Sequence, residues 1–181
     1  MRELIFVRHG QYDVESGELT ALGRRQAAAV ATALRGQKLA AIHCSTLPRA
    51  RETAEIIQRA LRIRTTIRAS AGLREAIPTP VTGFTTRADV PEIRKNLLKM
   101  QRAFARLARP ARGHRTELVV AHGNLIRLFV CLALGIKPTL WTRMRIHNAS
   151  ITKLLIKDEP REVLASFNET GHLSAKSLTL F

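Results

Sequence analysis

Aromatic side chains are scarce in this chain: Phe, Trp and Tyr make up 4% of 181 residues, with a single Trp and a single Tyr. So few rings leave few stacking platforms for single-stranded nucleic acid, and nucleic acid is not the expected partner. Cysteine is also sparse. Cys44 and Cys131 both sit in apolar surroundings without a CxxC or Cys/His ligand spacing, and read most simply as buried thiols in a reducing cytoplasm. No apolar run approaches the roughly 18 residues of a membrane span. The first strand is expected by Leu4, which leaves no room for a leader, so the expected address is cytoplasmic with no membrane partner. Internal repeats, linkers and low-complexity stretches are missing too. The last shortage is acid: 14 Asp+Glu stand against 30 Lys+Arg, a formal net charge of +16. Such a surface attracts anions, and a phosphorylated or acidic protein suits it as well as any polyanion.

What remains is an ordinary globular balance, 45% hydrophobic and 24% charged, in a length that fits one domain over residues 1–181. Leu4 to Val7 is a short apolar strand running straight into Arg8-His9-Gly10, and Glu117 to Ala121 is another running into His122-Gly123-Asn124. Between them, Thr20 is a plausible N-cap for a helix carrying Ala27, Val30, Ala31 and Leu34 on one face and stopping at Gly36. A strand over Ala40 to Cys44 leads to a helix opened by Pro48, with Ala50, Ala54, Ile57 and Leu61 inward. A weaker strand follows around Thr65 to Ala69, and residues 72–88, with Gly72, Pro78, Pro80 and Gly83, read as loop.

Asp89 and Pro91 open a long helix with Ile93, Leu97, Met100, Phe104 and Leu107 on its apolar face, ended by Pro110. Its other face is Arg94, Lys95, Lys99, Arg102, Arg106 and Arg109. Leu125 to Leu134 is apolar nearly all round, hence a buried helix, closed by Gly135. Ser150 to Ile156 and Glu162 to Phe167 read as strands joined at Asp158-Glu159-Pro160, a candidate hairpin. Strands alternating with helices predict an α/β three-layer sandwich around a mostly parallel sheet.

Ligands of open α/β sheets bind beyond the carboxyl ends of the strands, where two strand-end histidines can converge. Arg8 and His9, leaving a strand on different sides, can address one anion together. Arginine clamps phosphate through permanent charge and paired donors. Gly10 allows a sharp turn and a close approach of backbone to ligand. A lone His-Gly would most simply be a satisfied core histidine beside a salt-bridged arginine, but His122-Gly123 repeats the arrangement. Arg49 adds a cation in the first turn of a helix, where free N–H groups already favour an anion. Glu75, in a loop, would by itself be a solvated carboxylate.

Val7-Arg8-His9-Gly10, Ser45-x-Leu47-x-Arg49-Ala50-x-x-Thr53-Ala54, Leu73-x-Glu75 and Ala121-His122-Gly123-Asn124-x-Ile126-Arg127 together resemble the histidine phosphatase (phosphoglycerate mutase-like) superfamily, in its order and over residues 4 to about 156. Arg8 to Tyr12, Leu73 to Glu75, Asn124 to Arg127, the Trp141 region, Asn148 to Thr152 and Glu169 to Gly171 are similar to the mitochondrial protein serine/threonine phosphatases of that superfamily. The resemblance implies a phosphoglycerate mutase-like fold and no cofactor or metal. It makes His9 the nucleophile that forms a phosphohistidine, and Glu75 the acid and then the base. Arg8, Arg49 and His122 would hold the phosphoryl oxygens with His9 and stabilise their charge.

Insertions that shape the sugar-phosphate site of true mutases are missing after Glu75, so mutase activity is not expected. The anchoring and targeting segment of the mitochondrial relatives is not expected here either, so their address is not carried over. The leading expectation is a cytoplasmic phosphatase of phosphorylated, acidic Ser/Thr proteins. A broad small-molecule phosphatase is the alternative, and a polyanion-binding module on an idle phosphatase scaffold is the third. Self-association into a homo-oligomer is compatible with each.

Overall fold

Leu4, Ile5, Phe6 and Val7 are all fully buried, so the first strand must be covered on both faces. The computed structural model describes residues 1–111, 113–157 and 162–180 and shows how. Its strands are β1 (Arg2–Arg8), β2 (Leu39–Ser45), β3 (Ile67–Ser70), β4 (Arg115–Ala121), β5 (Ile151–Ile156) and β6 (Glu162–Glu169). They form a six-stranded sheet in the order β3-β2-β4-β1-β5-β6. β1, β2, β3 and β4 pair parallel, and β5 runs antiparallel between β1 and β6. The sheet is thus mostly parallel, and the chain is an α/β three-layer sandwich, as the sequence pattern predicts.

The helices are α1 (Ala21–Ala33), α2 (Pro48–Ala60), α3 (Val90–Leu107) and α4 (Gly123–Ala133). Strand alternation sorts the core between them. Ile5, Val7, Ile42, Cys44, Leu118 and Val120 face α1 and α2 through Val30, Ala50, Ala54 and Ile57. Leu4, Phe6, Val119 and Ala121 face α3 and α4 through Met100, Phe104, Leu125 and Phe129. Phe6 and Phe104 each pack against Phe129, with ring centroids 5.8 and 5.2 Å apart. Both cysteines are free and buried.

Several boundaries shift from the sequence pattern. α3 stops at Leu107, short of Pro110. α4 starts at Gly123 with His122 as its N-cap residue, so the second histidine touches the helix directly. Short 3-10 turns at Ala71–Leu73 and Arg87–Asp89 bracket the loop expected over 72–88. β5 and β6 pair as the hairpin pattern predicts, while Asp158-Glu159-Pro160 lies outside the described residues. Gly36 and Gly135, both at positive φ, follow α1 and α4.

Gly10 differs from expectation in its reason. Its Cα faces the backbone of Gly23 rather than a ligand, and a Cβ there would strike the Gly23 carbonyl. A Cβ on Gly23 would in turn strike the Gln11 carbonyl. Paired glycines therefore let the 10–11 loop lie directly on α1. Gly23→Ala is expected to force these backbones apart at a cost of about 1–3 kcal/mol, read as a lower urea midpoint with unchanged slope. An unchanged midpoint would mean that the contact is slack.

Candidate active site

β1 and β4 are adjacent and parallel, with Arg8 in register with Ala121. The residues that follow each strand therefore emerge side by side, and the His9 amide donates to the Ala121 carbonyl at 3.0 Å. α1 continues from β1 on one face and α4 from β4 on the other, which leaves a crevice at the strand ends. The His9 and His122 ring centroids are 5.0 Å apart. His9 is 1% exposed and His122 fully buried.

His9 is fixed in one tautomer. Its Nδ1 lies 2.8 Å from the Gly10 carbonyl, which can only accept, so Nδ1 carries the proton and Nε2 a lone pair. Arg49 Nε donates to that lone pair at 3.1 Å. Burial, then His122 and Arg8, push the His9 pKa well below the usual range, so the ring is neutral. Arg49 projects from the first turn of α2 and stacks over Tyr12, 4.3 Å from guanidinium carbon to ring centre.

Arg8 donates through Nη1 to the Ile146 carbonyl at 2.8 Å. Its Nε and both ring nitrogens of His122 are buried without a hydrogen-bond partner among the described residues. Orphaned buried donors of this kind mark a place built for a ligand. Burial lowers Arg8 to about 10 and His122 to about 3, the latter helped by Arg49, Arg8 and Arg74. His122 is therefore neutral, with one N–H to offer.

Glu75 arrives from the other edge of the sheet. β3 ends at Ser70, the 71–73 turn buries Leu73, and Glu75 reaches the N-terminus of α4. Its Oε1 accepts from the Asn124 amide at 3.1 Å, and Oε2 lies 3.8 Å from His122 Nδ1. Burial raises its pKa to about 7 against the pull of Arg8, although the side chain is still 28% exposed. A carboxylic acid poised near neutrality can both give and take a proton.

The structure thus brings Arg8, His9, Arg49, Glu75 and His122 together, every site residue that the sequence singled out. Donor atoms of His9, Glu75 and His122 lie within 4.8 Å of one another, a spacing that could suit a metal ion. The neighbouring Arg8 and Arg49 guanidiniums instead make the position favourable for an anion and costly for a divalent cation.

The supporting residues were less visible. Thr53 Oγ1 accepts from the Gly10 amide at 3.1 Å, and Asn148 Nδ2 donates to the His9 carbonyl at 3.2 Å. Ala149, at φ 56°, donates its N–H towards the carbonyls of Arg8 and His9. Arg127 donates to Asn124 Oδ1, to Met144 O and to Gly123 O, and stacks on Trp141 at 4.6 Å. Thr53 and Asn148 are buried polar residues in largely polar stretches, and the available signal was their place in the motifs that carry the family resemblance.

An α/β sandwich with this strand-end crevice defines the phosphoglycerate mutase-like class. More narrowly, the chain belongs to the histidine phosphatase superfamily (branch 1), whose model matches residues 4–101 and 94–170. It is similar to the serine/threonine-protein phosphatase Pgam5, mitochondrial, of Caenorhabditis briggsae, at 35% identity over 98% of this chain and 66% of the relative's length. The chain thus spans a little under two thirds of that relative. Among solved structures it resembles a phosphoglycerate mutase of Plasmodium falciparum at 27% identity and TM-score 0.68, covering 99% of this chain and 98% of that one. It also resembles a mycobacterial glucosyl-3-phosphoglycerate phosphatase solved with VO3, at 26% identity and TM-score 0.72, covering 94% and 100%. Membership in this superfamily supports a phosphatase. No helix among the described residues is long and apolar enough to cross a membrane.

Proposed function

We propose that this phosphatase hydrolyses phosphomonoesters without a metal, through a phosphohistidine on His9, and that Ser/Thr phosphoproteins are its substrates. The observation that carries the mechanism is the unprotonated Nε2 of a neutral, buried His9, held by the Gly10 carbonyl behind it. Its lone pair accepts from Arg49, so attack on phosphorus requires that guanidinium to swing onto the phosphoryl oxygens. The His9–phosphorus bond then forms as the ester oxygen leaves with the proton of Glu75. Arg8, Arg49 and His122 spread the charge on the remaining oxygens. Water, giving its proton to the Glu75 carboxylate, next breaks the phosphorus–nitrogen bond and restores neutral His9.

The substrate half of the proposal draws on the likeness to the Pgam5 phosphatase. Small phosphoesters are the rival class, since the mycobacterial relative is named for one. A panel of phosphoserine and phosphothreonine peptides, sugar phosphates and nucleotides, compared by kcat/KM, separates the two. Phosphopeptides are expected to lead, and a sugar phosphate or nucleotide above every peptide would overturn this half. Vanadate is expected to compete with substrate and EDTA to leave the rate unchanged. Loss of activity in EDTA, restored by a divalent cation, would overturn the metal-free mechanism.

A further inference from the structure

A concavity larger than a phosphoryl pocket opens on the sheet face that carries α3 and α4. It is a groove of about 900 Å³, running between β2, β3 and β4 on one side and α3 on the other. That is the upper end of ordinary ligand pockets, about 300–1,000 Å³, and far more than one phosphate fills. One end of the groove is Arg74 and Glu75, and Glu75 also lines the smaller cleft beside Arg8 and Arg127. The groove therefore meets the candidate active site.

Charge tells what fits it. The floor carries one buried carboxylate, Glu117, hydrogen-bonded to His43 at 3.1 Å and flanked by the Arg2 and Arg115 guanidiniums at 3.5 and 3.9 Å. The His43 hydrogen bond, then Arg2 and Arg115, hold Glu117 below its ordinary pKa, so its charge is answered within the floor. The rim is Arg68, Arg74, Lys99, Arg102 and Arg106, all exposed and none with a carboxylate partner among the described residues. Of the two other lining acids, Glu75 belongs to the candidate active site and Glu92 lies by Lys95 at 4.0 Å. No Phe, Tyr or Trp lines the groove, so it offers no platform for stacked bases. A row of unpaired cations beside a phosphoester pocket suits an extended chain with several carboxylates.

We infer that the groove docks the Asp/Glu-rich flank of the phosphoprotein whose phosphate enters at His9. This inference rests on the phosphoprotein reading above. The rim makes charge contacts with carboxylates beyond the phosphorylated residue and so raises the encounter rate and holds the chain. A small phosphoester reaches only the pocket and gains nothing from the rim.

The test separates docking from chemistry. Fluorescence anisotropy measures binding of an unphosphorylated acidic peptide and a neutral one of equal length to the full chain. Lys99→Glu/Arg102→Glu is the variant, with circular dichroism as the folding check. The acidic peptide is expected to bind more tightly, with a preference that falls about tenfold in the variant and fades in high salt. In turnover, kcat/KM for acidic phosphopeptides is expected to exceed that for neutral ones by about tenfold at low salt, while the variant's kcat/KM for a small aryl phosphate stays unchanged. Equal binding of both peptides, or a preference untouched in the folded variant, overturns the inference. So does a nucleic acid duplex that binds the rim more tightly than the acidic peptide. Charge-dependent binding with equal hydrolysis of acidic and neutral phosphopeptides shows that the groove does not serve the substrate. Sugar phosphates surpassing every phosphopeptide instead overturn the phosphoprotein reading itself.

Discussion

Turnover of any phosphomonoester is expected to fall by about 10⁴-fold or more in His9→Ala, with the fold retained. Arg8, Arg49 and His122 would still bind the anion, yet no group would remain to accept the phosphoryl. The buried Cys44 and Cys131 are no substitutes: Cys44 sits in the core beneath α2, and burial raises both thiols above their ordinary pKa. Rapid quench of the unmodified protein with labelled substrate should trap acid-labile, base-stable phosphate on His9. Trapping on serine, threonine or cysteine would remove the histidine from its role. Retained turnover in a correctly folded His9→Ala would do the same.

Glu75→Gln is expected to separate two kinds of ester. An alkoxide such as that of phosphoserine departs slowly without a proton, so kcat for alkyl phosphates should drop by about 10²–10⁴-fold. Aryl phosphates, whose leaving groups need little protonation, should lose far less at the phosphorylation step. The pH profile supplies the sign. Burial holds Glu75 near 7, so the acid form dominates below that pH and is lost above it. The alkyl ester kcat/KM should therefore fall as pH rises through about 7 in the unmodified protein, and Glu75→Gln should lack that limb. A uniform loss on both ester classes, with dephosphorylation shown not to limit, would take the acid role away from Glu75.

The role of the neighbours follows from the same electrostatics. Arg8 pulls Glu75 down while desolvation pushes it up, and desolvation wins in the buried site. The same burial keeps His9 and His122 neutral among cations. One histidine is thereby left with a lone pair to attack, and the other with an N–H to donate.

Much of this was written into single stretches of the chain. Leu4 to Val7 and Leu118 to Ala121 are apolar without alternation, and only a strand covered on both faces buries every one of them. Pro48 and the spacing of Ala50, Ala54 and Ile57 define α2 and place Arg49 in its first turn. Arg8, His9, Arg49 and His122 were legible because strand-end and helix-start positions expose such side chains by local geometry, whereas Glu75, a loop glutamate, was legible only through the family resemblance.

Other features depended on segments far apart in sequence. The residues 177–179 show no pattern of their own, yet Gln26 Nε2 donates to the Ser177 carbonyl at 2.7 Å and the Asn148 amide to the Thr179 carbonyl at 2.9 Å. Gln26 also accepts from the Gln11 amide at 2.7 Å, so the tail braces the loop that follows His9. Gly10 reads from the sequence as a turn residue, and only the fold lays its backbone on that of Gly23. The basic row of α3 is plain in the sequence, but only its placement opposite Arg68 and Arg74 makes Lys99, Arg102 and Arg106 one wall of a groove. Sequence alone determined which residues carry reactive groups and which local elements hold them, because strand burial, helix starts and side-chain chemistry are local properties. Tertiary structure decided the His9 tautomer, the raised pKa of Glu75 and the groove beside it, because each arises from the field and contacts of groups that only folding brings together.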